Sequence, residues 1–185
     1  MEEILIKIEN KDMEYAGGSV VGVVLSTINA LIIYISSLTI NKKNYENVQD
    51  DIKKILTEAK NLKRKSVKAI DEDSAILKKS LSSYKKKKTN YEEYMQICKE
   101  NVEFCIKVLN IAYSTLELSD EISKIGNRML SSDFQICKYY SYASVKSAIT
   151  NVEINLSQLE DKEYKHNTEK ICKSILEKSK KIINN

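Results

Sequence analysis

The hydrophobic residues of this chain recur three or four positions apart over most of its length, which is the spacing of one face of an α-helix. The longest such stripe consists of Tyr45, Val48, Ile52, Ile55, Ala59 and Leu62, and its phase continues through Ser66, Ala69, Asp73, Ile76 and Ser80. The stripe predicts one long amphipathic helix. Asp73 falls on the apolar face of that helix, whereas Asp71 and Glu72 fall beside it.

The position of Asp73 on an apolar stripe makes it a candidate general acid or base. A carboxylate on a core-facing side of a helix loses water when the helix packs, and this loss raises its pKa. The competing interpretation is structural. A helix N-terminus or a lysine can hold a buried aspartate, and a break in the helix can turn it outward.

The first third of the chain contains an uncharged segment at residues 16–40, which is long enough to span a bilayer. Asn29, Tyr34 and several Ser and Thr side chains are unfavourable in lipid, and the glycines and serines suit close packing between helices. We expect the buried central helix of a bundle, with no membrane insertion. A membrane-anchored helical protein is the alternative that this segment leaves open.

Further helices follow after a short turn at residues 41–44 and a loop at 85–90. The second amphipathic helix carries Tyr91, Tyr94, Cys98, Val102, Cys105, Leu109, Ala112 and Leu116 on one side. Gly126-Asn127 predicts its end, and Ser131-Ser132 before Asp133 predicts the next start.

The helix after Asp133 has an unusually polar face, which is typical of a wall that contacts a ligand. Its members are Asp133, Cys137, Tyr140, Ser144, Ser147, Asn151 and Asn155. A last helix at about 163–183 is expected to bury Ile171, Ile175, Ile182 and Ile183. The sequence thus predicts an all-α fold, an up-and-down bundle of five or six helices in one domain over residues 1–185.

Composition agrees with long helices, because the chain has no proline and only four glycines. The net charge of +4 is spread over interspersed Lys and Glu, so we expect no nucleic-acid partner. One run stands out, Lys85-Lys86-Lys87-Lys88. It is either a solvated helix end or an anion site for a polyanionic substrate tail.

The four cysteines form no CxxC pair, and His166 is the only histidine, so we expect no metal site. Buried, reduced cysteines are typical of a cytoplasmic protein. Residues 1–10 are acidic and mixed in character and do not resemble a signal peptide. Together these features predict a cytoplasmic location.

Three segments, in order, resemble the cyclodeaminase/methenyltetrahydrofolate cyclohydrolase family. AGGSV at residues 16–20 and LTINKKNY at 38–45 are similar to the family's PGGGSV start and LTxGKKKY end. DEDS at 71–74 is similar to its DEDA segment. GN at 126–127 with SSD at 131–133, and NVEINL at 151–156, are similar to GNxNxxSD and NVxINL. The resemblance covers residues 13–160.

The resemblance implies an all-α homodimer that binds a tetrahydrofolate derivative as its substrate, without a metal or a permanently bound cofactor. The implied reaction is hydrolysis of 5,10-methenyltetrahydrofolate to 10-formyltetrahydrofolate, or loss of ammonia from 5-formiminotetrahydrofolate. The implied site residues fall into two groups. The catalytic group contains Asp73 as proton carrier with Asp133; the substrate-binding group contains Gly17, Gly18, Ser19, Lys42, Lys43, Asn127, Asn151 and Asn155.

Of the two reactions that the resemblance implies, we expect the cyclohydrolase reaction, because the chain stands alone, without a formiminotransferase domain. A hypothesis from another class is a non-catalytic helical scaffold or binding protein with a degraded site. Its support is that the sequence departs from the family pattern. The family's proline, a glycine, an asparagine and a second glycine are here Tyr15, Ala16, Met129 and Ser147, and bulkier Gln135, Lys138 and Tyr139 follow the SD pair.

Overall fold

A computed structural model describes residues 2–10 and 15–184. Within them the chain forms six α-helices and two 3₁₀ turns, Glu46–Val48 and Arg128–Leu130. The α-helices are α1 (Glu2–Glu9), α2 (Gly17–Thr39), α3 (Gln49–Lys85), α4 (Tyr91–Ile125), α5 (Ser131–Ser157) and α6 (Lys162–Asn184). The predicted all-α fold is confirmed.

The helices from α2 onward alternate in direction, so the bundle has two ends. At one end the Ser19 hydroxyl of α2 donates a hydrogen bond to Asp73 of α3. At the other, Gln49 Nε2 donates to the Thr39 carbonyl, and the backbone N–H of Asn127 donates to the Thr39 hydroxyl. We call these the Asp73 end and the Asn127 end.

Helix α2 is the central helix, as predicted, because it packs against α3, α4 and α5. Leu25, Ile32 and Ile35 on it are at most 1% exposed. The buried Asn29 is satisfied as a donor, since its amide nitrogen bonds the Leu25 carbonyl and the Thr115 hydroxyl. Of the described helices, α2 is the one that is long and apolar enough to cross a membrane, and its buried face gives that composition a place in the bundle core.

Helix α3 is the long helix that the stripe predicts, but it begins at Gln49, so Tyr45 and Val48 at the start of the stripe lie before it. From Ile52 to Ala69 the stripe faces the core. The turn before it holds Asn41 and Asn44 at φ values of 56° and 73°, a left-handed conformation that asparagine tolerates better than most residues. Helix α4 begins after the predicted loop, where the Asn90 side chain accepts a hydrogen bond from the Glu93 N–H. The four cysteines are buried and free, as expected.

The predicted inner face of the last helix is wrong at Ile171, which is 44% exposed. The next residue, Cys172, is buried in its place, together with Thr168, Ile175 and Ser179. Two of the inward positions are hydroxyl residues. Ser179 bonds the Ile175 carbonyl of its own helix, so it is buried at little cost and gives no hydrophobic signal.

Candidate functional site

A cleft of about 340 Å³ opens at the Asp73 end, bounded by the start of α2 and by α3, α4 and α5. This volume lies at the lower limit of ordinary ligand pockets, about 300–1,000 Å³. The half of the cleft around Asp73 is lined by Ala16, Gly17, Gly18, Asp73, Cys105, Asn151 and Asn155. Five of the ten residues predicted for the site therefore line one cleft, and a sixth, Ser19, contacts Asp73 directly.

Asp73 is half-buried and lies at the N-terminus of α2. The Ser19 hydroxyl donates to its Oδ2 at 2.6 Å, and the Ser19 backbone N–H also bonds the carboxylate. Desolvation raises the pKa of Asp73 and outweighs the two hydrogen bonds, which lower it. Asp73 thus contacts α2 and also lines the cleft, so its position is compatible with both the structural and the catalytic interpretation.

Gly18 allows α2 to come this close to the carboxylate. A Cβ added at Gly18 would lie 2.0 Å from Asp73 Oδ1, whereas one added at Gly17 would meet nothing within 4 Å. Any larger side chain at position 18 must therefore displace Asp73 or α2. Gly17 instead leaves its backbone open to the cleft, where the first N–H groups of a helix favour an anion or a carbonyl oxygen.

The opposite wall carries two asparagines of α5. Asn155 Nδ2 donates to the Asn151 carbonyl at 2.8 Å and to Cys105 Sγ at 3.5 Å. Burial, and then the charge of Asp73, raise the pKa of Cys105 to about 12, so its thiol stays protonated. The Asn151 amide makes no hydrogen bond to any described residue, which leaves it able to bind a ligand.

The other four predicted residues lie at the Asn127 end. Lys42 and Lys43 follow α2, and Lys42 Nζ lies 3.6 Å from Met129 Sδ. The Asn127 side chain accepts from the Met129 N–H in the turn before α5, whose first turn contains Asp133.

The length of α2 separates these four residues from Asp73. From Gly17 to Thr39 its 22 steps of 1.5 Å span about 33 Å. The predicted site is therefore divided, and within one chain a single small ligand cannot contact both groups.

Comparison with known proteins identifies the family, because the model of the formiminotransferase-cyclodeaminase family matches residues 1–174. The chain belongs to the formiminotransferase-cyclodeaminase family. It is 25% identical to a methenyltetrahydrofolate cyclohydrolase of Methylorubrum extorquens over 142 residues, which cover 73% of this chain and 68% of that protein. The fold matches the crystal structure of formiminotetrahydrofolate cyclodeaminase from Thermotoga maritima with a TM-score of 0.87 and 22% identity, over 100% of this chain and 89% of that one.

Several departures from the pattern of the formiminotransferase-cyclodeaminase family lie away from the Asp73 cleft. Met129 is 83% exposed at the Asn127 end. Ser147 is exposed on α5, and its hydroxyl donates to the Ala143 carbonyl. Lys138 is buried but pairs with Asp120 at 3.2 Å. None of these side chains fills the cleft. These substitutions, which support the hypothesis of a degraded site, therefore do not obstruct it.

The far half of the cleft was missed by the sequence reasoning. It is lined by Ser80, Tyr84, Tyr94, Asn101 and Gln158. Ser80 lies on the α3 stripe and Asn101 interrupts the apolar face of α4, where its amide donates to Ser80 Oγ at 2.7 Å. The polar residues Ser80 and Asn101, each on an otherwise apolar helix face, were the sequence signal for this half of the cleft. Gln158, just after α5, gave none.

Proposed function

We propose that this protein hydrolyses 5,10-methenyltetrahydrofolate to 10-formyltetrahydrofolate in the Asp73 cleft. The observation that carries the proposal is the position of Asp73: its half-buried carboxylate, whose pKa is raised, lies at the N-terminus of α2 inside a cleft of ligand size. The family supports the substrate class, and the Methylorubrum extorquens relative is named for this reaction.

The reaction needs one group that takes a proton and returns it. Water adds to the methenyl carbon, which is bonded to N5 and N10, and Asp73 accepts a proton from the water as the C–O bond forms. The C–N5 bond of the tetrahedral intermediate then breaks, and Asp73 returns its proton to N5. The remaining hydroxyl proton leaves to solvent, and the carbon stays on N10 as a formyl group. A pKa raised by desolvation suits a carboxylate that both accepts and returns a proton.

The surrounding residues would bind and orient the substrate. Asn151 has a free amide to hydrogen-bond the pterin or the water, and Asn155 shapes the wall beside it. The N–H groups at Gly17 and Gly18 would meet a ring carbonyl. We propose that no metal or bound cofactor takes part, so dialysis against a chelator should leave the rate unchanged.

The second candidate reaction is the loss of ammonia from 5-formiminotetrahydrofolate. In this reaction N10 attacks the formimino carbon, which is bonded to N5, and Asp73 would accept the proton that N10 loses. The bond from that carbon to the outer nitrogen then breaks as Asp73 returns the proton to this nitrogen, which leaves as ammonia, and 5,10-methenyltetrahydrofolate remains. The fold that this reaction would use is that of the Thermotoga maritima cyclodeaminase. Both substrates therefore belong in the first assay.

The decisive experiment follows both substrates spectrophotometrically with the wild-type protein, Asp73→Asn and Asp71→Asn. Asp71 is the matched control, because it is exposed, two residues away and loses the same charge. We expect acceleration of methenyl hydrolysis that Asp73→Asn removes and Asp71→Asn keeps. Turnover of the formimino substrate alone would select the second reaction. No turnover of either would establish the non-catalytic alternative.

We also propose a homodimer whose interface includes the outer face of α2. That face carries no charge, and on it Val20, Tyr34 and Leu38 are 39%, 51% and 43% exposed. Exposed helix faces of monomeric proteins are normally charged. Helix α5, which packs against α2, adds exposed Ile136 and Tyr140.

Light scattering coupled to size exclusion tests the dimer. We expect twice the 21.2 kDa chain mass for the wild-type protein, and dissociation on Tyr34→Glu. Ile171→Glu on α6, at a comparable exposure of 44%, is the control that should remain dimeric. A wild-type mass of one chain would contradict the proposal.

A further inference from the structure

Asn101 of α4 presents a buried hydrogen-bond acceptor that has no partner. The residue lines the Asp73 cleft and is only 9% exposed. Its amide nitrogen donates to Ser80 Oγ, but no residue that the structure describes donates to its Oδ1, which is shielded from bulk solvent. A buried acceptor without a hydrogen bond is unfavourable, so a donor that enters the cleft at Asn101 gains more than the same donor would gain in water.

Ser80 fixes which atom of the Asn101 amide is free. The Ser80 hydroxyl donates its one proton to the Ile76 carbonyl at 2.8 Å, so towards Asn101 it can only accept. The amide nitrogen of Asn101 must therefore face Ser80, at 2.7 Å, and the oxygen must face away from it. If the two amide atoms were exchanged, Oδ1 and Ser80 Oγ would meet with no proton between them. The free atom is therefore the oxygen, and its partner must be a donor.

The position of Asn101 along the cleft restricts which donor of a ligand can reach it. On α3, Ser80 lies seven residues beyond Asp73, about 10 Å along the helix axis. On α4, Asn101 lies one turn, about 6 Å, from Cys105, which lines the half of the cleft around Asp73. A ligand that reacts at Asp73 therefore meets Asn101 one to two helical turns beyond its reacting atom.

The cleft is apolar between these two polar positions. Ile76 and Leu77 line it on α3, between Asp73 and Ser80, and Phe104 lines it on α4. The lining thus changes from a carboxylate, through an apolar stretch, to a free acceptor. A ligand that matches this order has a polar reacting end, then an apolar ring, and then a hydrogen-bond donor beyond the ring.

We propose that Asn101 Oδ1 accepts a hydrogen bond from the amide N–H that joins the aminobenzoyl ring of the folate substrate to its glutamate, an inference that rests on the proposed function. With the reacting carbon at Asp73, the ring carried by N10 lies against the apolar stretch, and the amide follows directly beyond the ring. The proposed function places the pterin at Gly17 and Gly18, so the N–H groups of the pterin lie away from Asn101. Asn101 thus selects a secondary amide at this position over an ester, whose oxygen repels Oδ1.

Equilibrium binding of 5-formyltetrahydrofolate and of its ester analogue tests the proposal, because the analogue replaces the amide N–H with an oxygen and keeps the length and the charge. The wild-type protein should bind the amide form about tenfold more tightly, the effect of one buried hydrogen bond. Asn101→Leu, which keeps the size of the side chain and removes the acceptor, should reduce this preference to about twofold or less. Asn110→Leu, at an exposed asparagine of the same helix, is the control that should keep the preference.

The outcomes separate this proposal from the function on which it rests. Equal wild-type affinities for the two ligands would overturn the Asn101 contact and leave the folate function intact. A preference that survives in Asn101→Leu, or in Asn101→Ala if the leucine variant does not fold, would also overturn it, because another group would then accept from the amide. Binding of neither ligand by the wild-type protein would refute the proposed function, and the Asn101 contact with it.

Discussion

Asp73→Asn separates the catalytic from the structural interpretation of Asp73, because the two interpretations predict opposite changes in stability. If the carboxylate mainly holds α2, its neutral replacement should lower the free energy of unfolding. Desolvation, however, raises the pKa of Asp73 against two hydrogen bonds from Ser19. Relative to the unfolded chain, the folded protein therefore favours the neutral form of Asp73, which asparagine resembles in shape.

The size of the effect follows from the contacts. A hydrogen bond to a charged group contributes about 1.5–3 kcal/mol and a neutral one about 1 kcal/mol. The carboxylate gains the stronger bond to Ser19, but the upward shift of its pKa shows that desolvation costs more than this gain. We expect Asp73→Asn to be as stable as the wild-type protein at neutral pH or more stable, while turnover falls about 10²–10⁴-fold.

The dependence on pH provides the sharper assay. Because the folded pKa of Asp73 lies above its ordinary value of 3.8, its contribution to stability is fully present below that value. The contribution is lost as the pH rises through the folded pKa. Urea unfolding of both proteins should give similar stabilities at acidic pH and a growing advantage for Asp73→Asn towards neutrality. A variant less stable by more than about 2 kcal/mol at neutral pH would refute this reasoning.

Two further predictions concern the residues that contact this carboxylate. Ser19→Ala removes a hydrogen bond that lowers the pKa of Asp73, so the acidic limb of the kcat/KM profile should move to higher pH; Ser37→Ala, at an exposed serine of the same helix, should leave it unmoved. An unchanged profile in Ser19→Ala would show that Asp73 does not set that limb. Gly18→Ala should destabilise the protein by about 1–3 kcal/mol through overpacking, as thermal unfolding would show. Gly17→Ala, where the space is open, should not lower Tm, and equal losses in both variants would contradict the steric argument.

The helices and the placement of Asp73 could be predicted because hydrophobic spacing is local information. Ile52, Ala59 and Asp73 belong to one helix, so their common face follows from their spacing and does not depend on which helices pack against it. Which helix ends meet is not local. A helix over the uncharged segment at 16–40 is about 36 Å long, and this length separates Gly17 from Lys42.

The residues missed by sequence reasoning share a physical cause. The Asn101 amide donates a hydrogen bond to Ser80 Oγ across two helices, and this contact requires no recognisable motif in either helix. In the same way Ser179, bonded to its own helix, occupies a core position that a hydrophobic pattern assigns elsewhere. A pattern of apolar residues therefore does not show which polar groups find partners inside the bundle.

The close approach of Gly18 to Asp73 makes the residues allowed at positions 18 and 73 depend on each other during evolution. With a Cβ only 2.0 Å from the carboxylate oxygen, position 18 can enlarge only when position 73 shrinks or moves. A lineage that loses the acid at 73 no longer needs glycine at 18, whereas a lineage that keeps the acid loses stability when it replaces the glycine. We therefore expect Gly18 and Asp73 to be retained or lost together among relatives. Relatives that keep both have kept the acid under selection, and relatives that lose the glycine should have lost the aspartate too.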